Sequence, residues 1–108
     1  MGFNMQKLMK QAQKMQSEVT RVQEGLKEKQ VEGLAGGGVV RALANGAQEI
    51  ISISIDPEVI DPEDKEMLED LVLAAVREAL TAAKDLAAQE MGKVTGGMGL
   101  PGGMGGLF

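Results

Sequence analysis

The apolar residues Met5, Leu8, Ala12, Met15, Val19, Val22 and Leu26 follow one another in steps of three and four, with no Gly or Pro before Gly25. A strip with this spacing is the seam of a helix that packs lengthwise on another helix. With Met5 at an a position, Ala12, Val19 and Leu26 are also a, while Leu8, Met15 and Val22 are d, along about 35 Å of helix. A lone helix would leave the seam in water. The chain therefore requires either a second helix of its own or the same helix of a second copy.

After Gly25 the period changes, and residues 29–34, 39–44 and 47–55 read as strands, punctuated by Ala35-Gly36-Gly37-Gly38 and by Asn45-Gly46. Asn-Gly between apolar runs predicts a two-residue type I′ hairpin turn, whose central residues both need positive φ. Residues 39–44 and 47–55 are thus expected to pair antiparallel. Ile51, Ile53 and Ile55 alternate with Ser52 and Ser54, which predicts one buried and one polar face. Asp56-Pro57 ends the sheet, since proline has no ladder donor.

Asp61-Pro62-Glu63-Asp64 then offers a cap, a proline at the first helical position and acids that suit the helix dipole. A second helix is expected from there to about Met91. Its apolar face is broad, with Leu68, Val72, Ala75, Ala79 and Ala83 on one side and Leu73, Val76 and Leu80 beside them. Such a face fits burial against both a sheet and a helix. From Gly92 to Phe108, eight of seventeen residues are Gly and Pro101 lies among them, a composition that predicts a flexible tail. The expectation is an α+β chain: long N-terminal helix, three-stranded antiparallel sheet and long C-terminal helix in one domain over residues 1–91, then a Gly-rich tail over residues 92–108.

The residue inventory removes most chemistries. With no Cys and no His, thiolate catalysis, common zinc sites and a Ser-His-Asp triad are excluded. The only aromatics, Phe3 and Phe108, provide no platform for stacking exposed bases, which argues against single-strand readers. Gly36-Gly37-Gly38 lacks the Gly-Lys-Ser/Thr of a phosphate loop, and the acids between Asp56 and Asp70 lack EF-hand spacing. No enzyme activity, cofactor, metal or small-molecule substrate is expected. Without a signal-peptide core or an apolar run near the roughly 20 residues of a membrane span, the expected location is the cytoplasm, away from membranes.

Charge is the feature that points to a partner. The formal net charge is −5, which alone argues against nucleic acid, but the charges are segregated. Residues 1–48 carry seven cations and four acids, a net of +3, whereas residues 49–90 carry three cations and twelve acids, a net of −9. In the heptad frame Lys7, Lys14 and Arg21 fall at c and Lys10 at f, on the face opposite the seam. This stripe has two readings. It can track a phosphate backbone, with Gln6, Gln11, Gln13 and Gln16 as uncharged donors, or it can be the solvated face of a coiled coil. Met5 and Met15 occupy the seam and read as core, while Met9 lies beside it. An adaptable Met surface leaves a second function open, that of a dimeric scaffold or chaperone-like protein-binding module.

Several segments in order carry a resemblance. They are Lys10-Gln11-Ala12-Gln13-Lys14-Met15-Gln16, the glycine-rich stretch 33–40, Asn45-Gly46, Ile55-Asp56-Pro57 and Lys65-Glu66-Met67-Leu68-Glu69-Asp70-Leu71. Together they resemble the YbaB/EbfC family of bacterial nucleoid-associated proteins over nearly the whole chain. The resemblance implies a homodimer whose sheets associate and whose helices project like the arms of tweezers. It implies binding of double-stranded DNA with low sequence specificity, effects on chromosome organisation and gene expression, and a nucleoid location. Carried onto this sequence, the DNA-contacting residues are Lys7, Lys10, Gln11, Lys14 and Arg21 on the first helix and Lys84 and Lys93 on the second. At Arg77-Glu78-Ala79 the chain departs from the Asn-Asp-Ala common in relatives, which removes the basis for a carried-over contact there while leaving Arg77 as a substitute cation.

Overall fold

The computed structural model describes residues 4–97. Helix α1 (Met5–Leu26) leads into strands β1 (Gln30–Ala35), β2 (Val40–Asn45) and β3 (Ile50–Ile55), and after two short 3-10 turns helix α2 (Lys65–Gly97) closes the chain. The strands form one antiparallel sheet in the order β1-β2-β3. The expected α+β architecture is present. The tail lies outside the described residues beyond Gly97, and α2 itself runs past the expected end at Met91, through Gly92.

The two strand connections show what local sequence does and does not dictate. Gly36, Gly37 and Gly38 all take positive φ (62°, 75° and 101°), so the glycine run is the price-free way to turn β1 into β2 where L side chains would be strained. The Asn45-Gly46 hairpin is formed, but not as the expected two-residue turn. Gln48 N–H donates to the Asn45 carbonyl at 3.0 Å, and Gln48, rather than Asn45 or Gly46, has positive φ (63°). The loop is thus the three-residue kind that ends in a left-handed residue. Asn45 explains the choice: its Oδ1 accepts from Ala47 N and Glu49 N, both at 3.0 Å, and its Nδ2 donates to Glu49 Oε1 at 2.7 Å.

Helix α2 lies across β1 and β2. The core is made of small residues: Val40, Ala42 and Ala44 of β2 and Ala75, Ala79 and Ala83 of α2 are all wholly buried. Spacing of four puts the three helix alanines in one ridge. The sheet beneath the ridge is stripped to backbone at Gly33, where a Cβ would stand 2.2 Å from the Ala75 carbonyl oxygen and 2.3 Å from Ala79 N. Helix and strand therefore touch backbone to backbone, and dispersion at close range replaces bulk.

This narrow core leaves β3 outside. Ile53 pairs with Ala42 and Ile55 with Val40, so the isoleucines are on the face that α2 covers elsewhere. Yet Ile51 is 47% and Ile53 43% exposed, and only Ile55 is half-buried. The expected buried face exists as a pattern, but within one chain α2 does not reach across to cover it. A bulge places Ile51 between Ile50, opposite Ala44, and Ser52, opposite Leu43.

Candidate nucleic-acid interface

Helix α1 is held at both ends by its own neighbours. At its start Asn4 Oδ1 accepts from Lys7 N at 3.2 Å, an N-cap with extended backbone. At its end the Gly46 N–H donates to the Leu26 and Lys29 carbonyls at 2.8 and 2.9 Å, so the hairpin loop grips the last turn of the helix. Ion pairing ties the connection after α1 to α2: Glu90 of α2 meets Lys29 Nζ, between α1 and β1, at 2.5 Å, and Lys93 Nζ of its own helix at 3.5 Å.

Along α1 the seam changes character. Leu26 is buried and Val22, Val19 and Met15 are half-buried, whereas Ala12, Met9, Leu8 and Met5 are exposed. The second half of the seam is thus covered within the chain, and the first half projects as an arm. Met5, read from the sequence as core, is instead at the bare end, because the seam there has no helix of the same chain against it.

The cations divide in the same way. Lys7, Lys10 and Lys14 are exposed on the arm, with Gln11 beside them, and among the described residues no carboxylate lies within 4 Å of any of the three. Arg21, nearer the base, pairs with Glu18 at 2.5 Å. This contact holds the Glu18 carboxyl below its ordinary range and pushes the Arg21 guanidinium up, in both cases mainly through their hydrogen bond. Glu90 is also held low, chiefly by the hydrogen bond from Lys29. Lys14, Arg21 and Lys93 line one cleft between α1 and α2 together with Glu18 and Glu90. Lys84 is exposed on α2 but is not among the residues lining that cleft, and Arg77 is likewise exposed on α2.

Sequence reasoning named the cations and missed the carboxylates that hold some of them. The Glu18 and Arg21 pairing was legible as neighbours three apart on a helix. The Lys29 and Glu90 pairing joins residues 61 positions apart and carries no local signal.

A sheet braced by one helix and extended by a second, cation-bearing helical arm defines a small α+β module with an exposed charged surface. Residues 1–98 match the model of the YbaB/EbfC DNA-binding family, and the chain belongs to that family, which is one of DNA-binding proteins and not of enzymes. It is 57% identical over 102 residues to a nucleoid-associated protein of Pelotomaculum thermopropionicum, covering 94% of this chain and 97% of that one. It is 55% identical over 101 residues to a nucleoid-associated protein of Caldanaerobacter subterraneus, covering 94% of this chain and 91% of that one. An uncharacterized protein of Helicobacter pylori, 23% identical, shares the fold with a TM-score of 0.71 over 81% of this chain and 91% of its own. Among the described residues no helix is long and apolar enough to cross a membrane.

Proposed function

We propose that the chain binds double-stranded DNA with low sequence specificity, as a homodimer, through phosphate contacts from the outer face of its α1 arms. The observation that carries this reading is the set of exposed cations Lys7, Lys10 and Lys14, none of them within 4 Å of a carboxylate among the described residues, on a projecting helix of a chain whose net charge is −5. A solvated coiled-coil face would have no need to keep its acids away, yet the first acid of the chain is Glu18. Backbone contacts position a protein without reading sequence, and the arm has no aromatic or bidentate Arg free to read bases. Lys93 and Arg21 extend the surface at the base of the arm, and Lys84 adds a separate contact on α2. Location in the nucleoid, and effects on chromosome organisation and through it on gene expression, follow from such binding and agree with the names of the relatives.

Dimerisation rests on the uncovered apolar surface. Ile51 and Ile53 on β3, and a mainly apolar groove on α2 lined by Leu68, Val72, Leu73 and Val76 with Glu69 at its edge, are among the apolar surfaces that the described residues of one chain leave open. A second copy that covers both would complete the thin single-chain core, as small domains often require.

The test is titration of unrelated duplexes at several salt concentrations. Two arms with three lysines each engage up to about six phosphates, so log K should fall with log salt at a slope of about −5. Replacing Lys7, Lys10 and Lys14 together by Ala should remove most of that slope equally on every sequence and leave the oligomeric state unchanged. Binding that is independent of salt would defeat the reading.

A further inference from the structure

The uncovered half of the α1 seam is not used by a phosphate-binding arm, because it lies on the opposite face from the lysines. Met5 is 60%, Leu8 45% and Met9 58% exposed, and Ala12 is exposed as well. The three-four spacing of these residues runs in unbroken register into Met15, Val19, Val22 and Leu26, the part of the seam that is covered within the chain. A partner that continues this interface is a helix. The side chains flanking the bare seam contain no acid and no cation: Gln6, Met9, Gln11 and Gln13 occupy the b, e and g positions, while Lys7, Lys10 and Lys14 stay at c and f. Two such arms can meet seam to seam without burying a charge and without bringing lysines together at their junction. An acidic partner helix, by contrast, would find no cation beside the seam to pair with.

We propose that the outer end of α1 pairs seam to seam with the same end of α1 from a second dimer, and that this pair, with lysines on both outer faces, ties two DNA segments together. The inference rests on the phosphate-binding reading of the arm. Helices paired through an a/d seam lie about 8–10 Å apart, which leaves the c and f positions of each on opposite outer surfaces. Each lysine stripe then faces its own duplex. Fewer than two heptads take part, and the two arms repel while their lysines are bare, so pairing is weak in free protein. Bound phosphates remove the repulsion, and arms held on neighbouring duplexes meet at high effective concentration. Pairing is therefore coupled to DNA.

The experiment compares the full chain with its Leu8→Gln/Met9→Gln variant, both positions being exposed so that the fold does not depend on them. Affinity for a single duplex of about 20 base pairs is read by anisotropy, and tying is read as capture of a labelled duplex by an immobilised one. The variant is expected to bind the short duplex within about twofold of the parent and to lose capture by about tenfold or more. Unchanged capture overturns the proposal. Short-duplex affinity that falls as far as capture overturns it too, since the seam then faces DNA. Hydrogen exchange without DNA tests the other occupant: if the substitutions speed exchange within residues 98–108, that segment covers the seam and the proposal fails. A parent chain that binds no short duplex at all defeats the underlying phosphate reading, and this is seen in the first measurement alone. Because the chain has no cysteine, oxidation on DNA gives an independent check. Leu8→Cys should yield disulfide-linked chains and Ser17→Cys, at the outward f position and outside the lysine stripe, should not; equal yields overturn the proposal.

Discussion

Single residues decide how closely the parts of this protein approach one another and which cations remain available. Gly33 is the clearest case, because its missing side chain is where the backbone of α2 sits. Gly33→Ala forces two backbones apart rather than one side chain aside, so the loss should reach about 3 kcal/mol, the upper part of the range for overpacking. Urea unfolding measures it; a loss below about 1 kcal/mol would contradict the backbone contact. Glu90 acts on availability. Its carboxyl is held below the ordinary range first by Lys29, so its ionised form favours the fold at pH values above the usual glutamate range, and that contribution is lost as pH falls through the lowered value. Glu90→Gln should therefore make the acid-side decline in stability shallower when unfolding is followed from about pH 6 to about pH 2.5. At neutral pH the same substitution frees Lys29 and Lys93 for phosphate, and DNA affinity should rise about twofold with a steeper salt slope. Neither role was legible in the sequence. A glycine in a strand marks a bulge or a close approach without saying which, and an ion pair between Lys29 and Glu90 exists only once α1, the sheet and α2 are assembled.

Elements were more readable than contacts, for physical reasons that differ between helix and sheet. The α1 seam was visible because three-four spacing is a local property, and the arm could be assigned its cationic face from the same frame. How much of the seam would be covered was not visible, since that depends on where α2 ends relative to α1. The hairpin was found from Asn45-Gly46, but the turn type was set by Asn45 reaching forward to Ala47 and Glu49, which moved the left-handed residue to Gln48. Strand β3 carries the alternation of a half-buried strand and yet lies bare, because local periodicity reports that a face must be covered and not by which chain. Ile53→Glu tests this. It places a charge at the centre of the uncovered face, where desolvating an unpaired carboxylate is costly. Light scattering should show the proposed dimer shifted to monomer, with far-ultraviolet dichroism retained because Ile53 contributes little to the single-chain core. A variant that stays dimeric would move the interface elsewhere.

For the whole molecule, the arrangement that matters is the separation of charge along its length. The chain extends 76 Å in its longest direction. Helix α2 spans about 50 Å, beginning with an acidic stretch near Glu63 and Glu66 and ending beside the cationic arm. Net charge is then the wrong quantity for judging DNA binding, because a duplex on the arm senses only charges within a screening length. That length is about 8 Å at 0.15 M salt and about 30 Å at 0.01 M. Glu63→Gln/Glu66→Gln removes acid far from the arm. It should leave affinity unchanged at 0.15 M and raise it measurably at 0.01 M. Glu90→Gln, beside the arm, should raise affinity at both. Equal gains from the distant and the near substitutions at 0.15 M would mean that DNA lies along the sheet and the start of α2 rather than on the arm, and would remove the geometric basis for assigning the interface to Lys7, Lys10 and Lys14.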